Sequence, residues 1–276
     1  MRLFGFGGKA PRPDNVVLML VSGWIFEWNL KSATEVGGNG RANDICVHED
    51  VLYEAEPSGV FSWQATDFVP TATDGWATAV CSHGDQLYHS VSTGPSSTDP
   101  ARIYETLTGK LVTERQLRVA TLCSHGGRLF DGGSGGVYDT FESRRITDRQ
   151  VEVLCSHGSA LYDGGPIGIH ETVSGRDVAY RRSEVCGLCS HAGVLYDASG
   201  YLSPRVQGGI YNSIQDAAVL DYANIHYTTK TRTVMGHTLK GGRQEVRLVT
   251  GMISVPSAVI DHFETPLRDY KRSVGR

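Results

Sequence analysis

The chain is expected to be all-β, built from short antiparallel strands, and three observations predict this. A Cys-x-His motif recurs five times, at intervals of 35, 42, 32 and 34 residues, each copy followed by an apolar–aromatic–polar triplet. Glycine and proline number 33 and 10 of 276 residues, a density of turn formers that helical bundles do not carry. The apolar runs between those turns are only 4–6 residues long, the length of strands. With 40% apolar and 20% charged residues the composition is that of a globular chain, which argues against extended disorder.

Each element of the repeat has a local reason. The first strand is apolar and ends in Cys-Ser-His, as at Leu122-Cys123-Ser124-His125. A Gly-rich turn follows, then a second strand of the type Leu129-Phe130-Asp131-Gly132-Gly133. The third strand carries the triplet, which reads Val60-Phe61-Ser62, Ile103-Tyr104-Glu105, Val137-Tyr138-Asp139, Ile169-His170-Glu171 and Ile210-Tyr211-Asn212. Thr108-Gly109 or Ser174-Gly175 then turns the chain into a polar fourth strand such as Lys110 to Arg115. An N-terminal copy, Val17-Leu18 with Ile25-Phe26-Glu27, has no first strand of its own. Near the C-terminus, Val259-Ile260-Asp261 offers a seventh triplet.

Four-stranded units of this length are the signature of propeller blades. Ile103-Tyr104-Glu105-Thr106-Leu107-Thr108-Gly109-Lys110 resembles the third strand and following turn of a WD-repeat blade. Leu129-Phe130-Asp131-Gly132-Gly133 resembles the Gly-Gly strand of a kelch blade. The chain thus resembles the WD-repeat, kelch and quinoprotein group of β-propellers, without the Trp-Asp and Gly-His signatures and without a specific subfamily. The resemblance spans most of residues 15–222, implies architecture alone, and carries no functional residue across. Counting triplets predicts seven blades, with six as the alternative if the last 50 residues are an appendage. The expected domain is a single propeller over 1–276. Residues 15–44 form a first blade lacking its first strand, 45–222 five well-matched blades, and 223–276 a weakly matched last blade and closure. A tail strand around Val246 to Val249 is expected to complete blade one and close the ring.

In a strand, residues i and i+2 share a face, so each Cys and His of the motif point the same way. The Cys reads as a small buried hydrophobe, the His as a donor to a nearby turn or carboxylate. Five Cys-x-His pairs also make a stock of metal ligands, but they fall in different blades, too far apart to share one ion. Cys186, Cys189 and His191 are the one set that a bulge at Gly187 could gather, and they stay open as a minor metal option. The six cysteines follow the repeat and not a disulfide framework, which points to a reducing compartment. No other cofactor is expected.

No phosphate loop, dinucleotide fingerprint or Gly-x-Ser-x-Gly elbow occurs, and nothing catalytic stands out. The repeated carboxylates Glu54, Asp131, Asp163 and Asp197 read as partners for turns. No apolar run reaches membrane-spanning length; the best, Val16 to Phe26, is flanked by Asp14 and Glu27 and reads as strands, not a signal segment. Lys230, Arg232, Lys240, Arg243 and Arg247 make the C-terminal part basic, but they are dispersed, which argues against nucleic acid.

Two blades carry insertions between second and third strands, at residues 90–102 and 198–209, and both must emerge on the same face. Long loops on a rigid scaffold are where binding sits. Tyr201 and Arg205 are the leading candidates, with Asp99 and Arg102 in the other insertion. The expected function is a non-enzymatic, cytoplasmic scaffold that binds another protein through these loops. The alternative is a propeller enzyme or small-ligand binder acting at the mouth of the central channel.

Overall fold

The structure, a computed structural model, describes residues 14–21, 23–30, 33–38, 40–64, 67–72, 75–181, 183–199, 209–221 and 249–260. The first blade holds β1 (Asn15–Val21), β2 (Trp24–Trp28) and β3 (Ala33–Gly38). The second holds β4 (Asp44–His48), β5 (Val51–Glu56), β6 (Gly59–Gln64) and β7 (Asp67–Ala72), and the third β8 (Trp76–His83), β9 (Gln86–Ser92), β10 (Ala101–Glu105) and β11 (Lys110–Arg115). The fourth holds β12 (Val119–His125), β13 (Arg128–Gly133), β14 (Gly136–Asp139) and β15 (Arg144–Thr147). The fifth holds β16 (Val153–His157), β17 (Ala160–Gly165), β18 (Gly168–Glu171) and β19 (Asp177–Tyr180). The sixth holds β20 (Val185–His191), β21 (Val194–Ser199), β22 (Gly209–Asn212) and β23 (Ala217–Asp221). The last strand, β24 (Val249–Pro256), returns to blade one and pairs with β1 in the order β24-β1-β2-β3.

Each first strand touches the next, from β4 through β8, β12, β16 and β20 to β24, and β24 touches β4. The ring is therefore closed, and the described residues form a six-bladed β-propeller. Six, not seven, is the blade number. Val259 and Ile260 are not a third strand but lie in a helical turn at 257–260 directly after β24. The strand upstream of them is the inner strand of blade one, and the described residues form no seventh sheet. Ser257 N–H donates to the Asp14 carbonyl at 2.9 Å, and Val259 and Ile260 pack against Val16, Leu18, Ile45 and Trp63. The closing strand itself runs from Val249 and pairs Val255 with Val16 and Met252 with Met19, later in the chain than the expected Val246 to Val249.

Two recurrent backbone devices shape the blades. All six have a register shift between third and fourth strands, at the apolar-to-aromatic step of the triplet, as at Val137/Tyr138 and Ile210/Tyr211. Such a bulge increases local twist, which the splayed outer edge of a blade requires. The Gly-Gly of the second strand answers a close approach: a Cβ on Gly133 would lie 2.0 Å from the Arg118 carbonyl oxygen. The apolar core is a set of inter-blade layers, such as Ala79, Tyr88 and Ile103 of blade three against Val119, Leu122 and Leu129 of blade four.

Candidate functional site

Up-and-down blades give the disc two distinct faces. The loop face carries the connections from second to third strands and from one blade to the next; the turn face carries the other two sets. Inner strands start at the loop face and end at the turn face, four of the six in Cys-Ser-His.

At the turn face the repeated histidines make one ring of bonds. His48 Nδ1 lies 2.9 Å from Ser82 Oγ, His83 from Ser124 at 2.9 Å, His125 from Ser156 at 2.8 Å, His157 from Ser190 at 2.9 Å, and His191 from Ser254 at 2.9 Å. Each histidine thus reaches the serine of the next blade, not a turn or carboxylate of its own. The sixth junction closes the ring without the pair: Val255 of β24 and Val47 of β4 stand where the His and Ser would be, in one apolar cluster. Both partners are replaced together, so neither is left buried and unbonded.

The ring cysteines line a channel of about 500 Å³ together with Asp44, Thr121 and Ile253. Burial, then the charge of the next ring cysteine, pushes the thiols of Cys46, Cys81, Cys123 and Cys155 up. Burial also lifts Asp44 from 3.8 to about 7, although its carboxylate accepts the Val80 N–H at 3.0 Å. The minor metal option is not assembled. Cys189 packs among Met19, Trp28 and Tyr196, Cys186 Sγ points to the Glu184 carbonyl at 3.7 Å, and His191 is bonded to Ser254. Among the described residues no group of three His, Cys, Asp or Glu side chains could hold an ion.

The repeated carboxylates serve neighbouring blades more than turns. Arg115 from the end of blade three grips Asp131 of blade four at 2.8 and 2.7 Å, and Arg181 after blade five grips Asp197 of blade six at 2.7 and 2.8 Å. Arg149 reaches Asp163 at 2.9 Å. The triplet aromatic roofs the guanidinium, Tyr138 over Arg115 at 4.7 Å and Tyr211 over Arg181 at 4.3 Å. Blade two differs: Glu54, with 0% exposure, accepts the Trp63 Nε1–H at 2.7 Å, and burial lifts its carboxyl from 4.5 to about 8.

Sequence reasoning missed a second regularity on the turn face. Leu107, Phe141, Val173 and Ile214 are exposed apolar residues at the same turn position in four consecutive blades. Phe141 shows their packing role, with its ring 5.8 Å from Tyr88 and 5.8 Å from His83 of the preceding blade.

On the loop face, the insertion in blade three lengthens β9 and β10 and leaves an exposed loop at 93–100. Asp99 braces it, accepting the Ser96 N–H at 2.7 Å while Thr93 N–H donates to the Pro100 carbonyl at 3.2 Å. Arg102 pairs with Glu114 at 2.7 Å, on the wall of a cavity of about 430 Å³ shared with Trp76, Pro100 and Tyr104. Tyr201 and Arg205 lie outside the described residues, as do the basic residues Lys230, Arg232, Lys240, Arg243 and Arg247.

The loop-face mouth of the channel is a further cavity, of about 470 Å³. Its inner rim takes one residue from each blade, in ring order Thr250, Asn43, Thr78, Ala120, Glu152 and Cys186. Arg41 and Arg118 also line it. Glu184 adjoins the rim at Cys186, 4.0 Å from that sulfur.

No family model and no curated protein matches the chain. Solved structures do. The extracellular domain assigned to a hybrid two-component system of B. thetaiotaomicron aligns with TM-score 0.51 and 12% identity, over 89% of this chain and 36% of that one. The computationally designed Ika8 protein aligns with TM-score 0.43 and 14% identity, over 76% of this chain and 71% of that one. A chain of the mitotic checkpoint complex aligns with TM-score 0.46 and 13% identity, over 72% and 70%. The likeness is one of fold. This chain spans little more than a third of the bacterial domain, and at such identities no function passes with the architecture.

Proposed function

We propose that the protein is a non-enzymatic platform that binds another protein through the loop face of the disc. The observation that carries this reading is the braced loop at 93–100. It is exposed, held in shape by Asp99, and set beside a cavity walled by Trp76, Pro100, Arg102 and Tyr104. Aromatic and arginine side chains beside a concavity are the usual anchors of protein contacts, and a stiff loop loses little entropy on binding. Ser199 and Gly209, which flank the second insertion, pair with each other at the same face of the disc. Six free cysteines support a reducing, cytoplasmic setting.

The test compares interaction profiles of wild type, a variant with 93–100 replaced by a short Gly-Asn turn, and the pair Tyr201→Ala with Arg205→Ala. Partners bound by wild type and lost from both variants, with unchanged unfolding curves, support the reading. Identical profiles from all three proteins would move the binding surface off this face.

A further inference from the structure

The cavity beside the braced loop does not end at blade three. A second cavity, of about 240 Å³, lies at the junction with blade four, and the two share Glu114, Arg115 and Gln116 in their walls. Together they make one groove on the loop face. Trp76, Pro100 and Tyr104 stand at one end of it, Leu117 and Tyr138 at the other. Both tyrosines are held from behind. Tyr104 stacks on the buried His89 with ring centroids 5.6 Å apart. Tyr138 lies over Arg115 at 4.7 Å, and its hydroxyl donates to the Gly135 carbonyl at 3.2 Å. Aromatic walls fixed in this way lose little entropy when a ligand seats on them.

The polar groups of the groove narrow the choice of ligand. Two of its arginines are already paired, Arg115 with Asp131 and Arg102 with Glu114. The Trp76 indole N–H and the Gln116 amide make no hydrogen bond among the described residues, and both belong to the larger cavity. β9 and β10, whose ends supply much of that wall, are paired on both sides, so a visiting chain finds no open edge there to extend as a strand. Such a groove suits a chain that is already extended, brings carbonyl acceptors and leaves few N–H donors to be answered. Proline meets each demand: its ring packs flat on aromatic faces, it has no N–H, and a polyproline II segment keeps its carbonyls free.

We propose that this groove binds a proline-rich segment of a partner protein in the polyproline II conformation. Proline rings sit in the Trp76–Tyr104 and Leu117–Tyr138 cavities, and a peptide carbonyl accepts from the Trp76 indole. The inference rests on the platform reading and gives that surface its occupant. Gly135 offers a way to close the smaller cavity without removing any group. A Cβ there would lie 3.7 Å from Leu117 and 3.6 Å from the Tyr138 hydroxyl, ordinary contact distances, so a leucine would fill the space between them.

The experiment is fluorescence-polarisation binding of the full chain to labelled short peptides: oligoproline, and a library with Pro-x-x-Pro at its centre, each beside a version with alanine for proline. The expected result is binding by a subset of the proline peptides, with the alanine versions weaker by about 10-fold or more. Trp76→Phe keeps a ring but not the N–H, and should weaken binding about 3–10-fold, the worth of one neutral hydrogen bond. Gly135→Leu should weaken it about 10-fold or more, with an unchanged unfolding curve. Failure of every proline-rich peptide to bind would overturn the proposal, as would alanine versions that bind equally well, or binding that both variants leave intact. Interaction profiles that still depend on 93–100 while no proline peptide binds would keep the platform and discard the proline. Peptide binding weakened by Trp76→Phe, with profiles indifferent to 93–100, would keep the groove and discard the loop. Because the peptide series needs no mutation, it decides the matter even if a variant fails to fold.

Discussion

Glu54 is the place where pH should act on the fold. Its carboxyl is fully buried, bonded to Trp63, without the arginine that grips the equivalent aspartates of blades four to six, and lifted from 4.5 to about 8. In the folded chain it stays protonated up to about pH 8, whereas in the unfolded chain it ionises near 4.5. Between those values the folded state binds more protons, so stability falls as pH rises and levels off above about pH 8. At about 1.4 kcal/mol per pH unit, the interval corresponds to about 5 kcal/mol at most. Glu54→Gln keeps an oxygen for the Trp63 N–H and removes the titration. Denaturant unfolding from pH 4.5 to 8.5 should therefore show the variant gaining on wild type by about 3–5 kcal/mol across the range. Parallel pH profiles for the two proteins would refute the argument, because they would mean that Glu54 ionises in the fold as it does in the unfolded chain.

Three further outcomes follow from the contacts between blades. Asp197→Ala leaves Arg181 buried without its main partner and should cost about 3–5 kcal/mol in chemical unfolding, while Arg181→Met with Asp197→Leu should recover most of that loss. Installing the missing sixth histidine–serine pair by Val255→His and Val47→Ser should destabilise singly, with the double variant better than the sum of the two by about 1 kcal/mol in a double-mutant cycle; strict additivity would show that these positions do not face each other as the other five pairs do. Burial holds Cys189 up to about 12 and its ring neighbours higher than free thiols, so a disulfide-exchange reagent at pH 8 should label the native ring cysteines slowly and all six within the mixing time after denaturation; fast native labelling of Cys123, Cys155 and Cys189 would contradict the packing.

Strands and turns were legible because their causes are local. Alternation of apolar residues, the Gly turns and the triplet are each contained in fewer than ten residues, and the repeat states them five times. Leu129 to Gly133 could be placed as a second strand with no knowledge of what surrounds it. The partners of the repeated polar residues were not legible in the same way. His125 meets Ser156 and Arg181 meets Asp197 only because one blade is rotated onto the next, and strand parity carries no information about that rotation. Val47 and Val255 are apparent exceptions to the motif in the linear chain; in the ring they face the same junction and explain each other. Asp99 and Arg102 are candidate contact residues by sequence, and the structure adds that one braces its loop while the other pairs with Glu114 at a cavity wall.

The amino-acid order by itself determined an all-β repeat protein of propeller type, because period-two strands and turn chemistry repeated at 32 to 42 residues admit few other packings. It also determined that one blade would be assembled from both ends of the chain, since the N-terminal copy has no first strand. The tertiary structure decided the number of blades, because one strand at 249–256 can either begin a new sheet or complete an old one, and only its pairing with Asn15–Val21 shows which. It likewise decided where chemistry gathers. The channel mouth brings residues 41, 118, 152 and 250 to one cavity, and only closure of the ring sets groups that far apart in the chain around a common space.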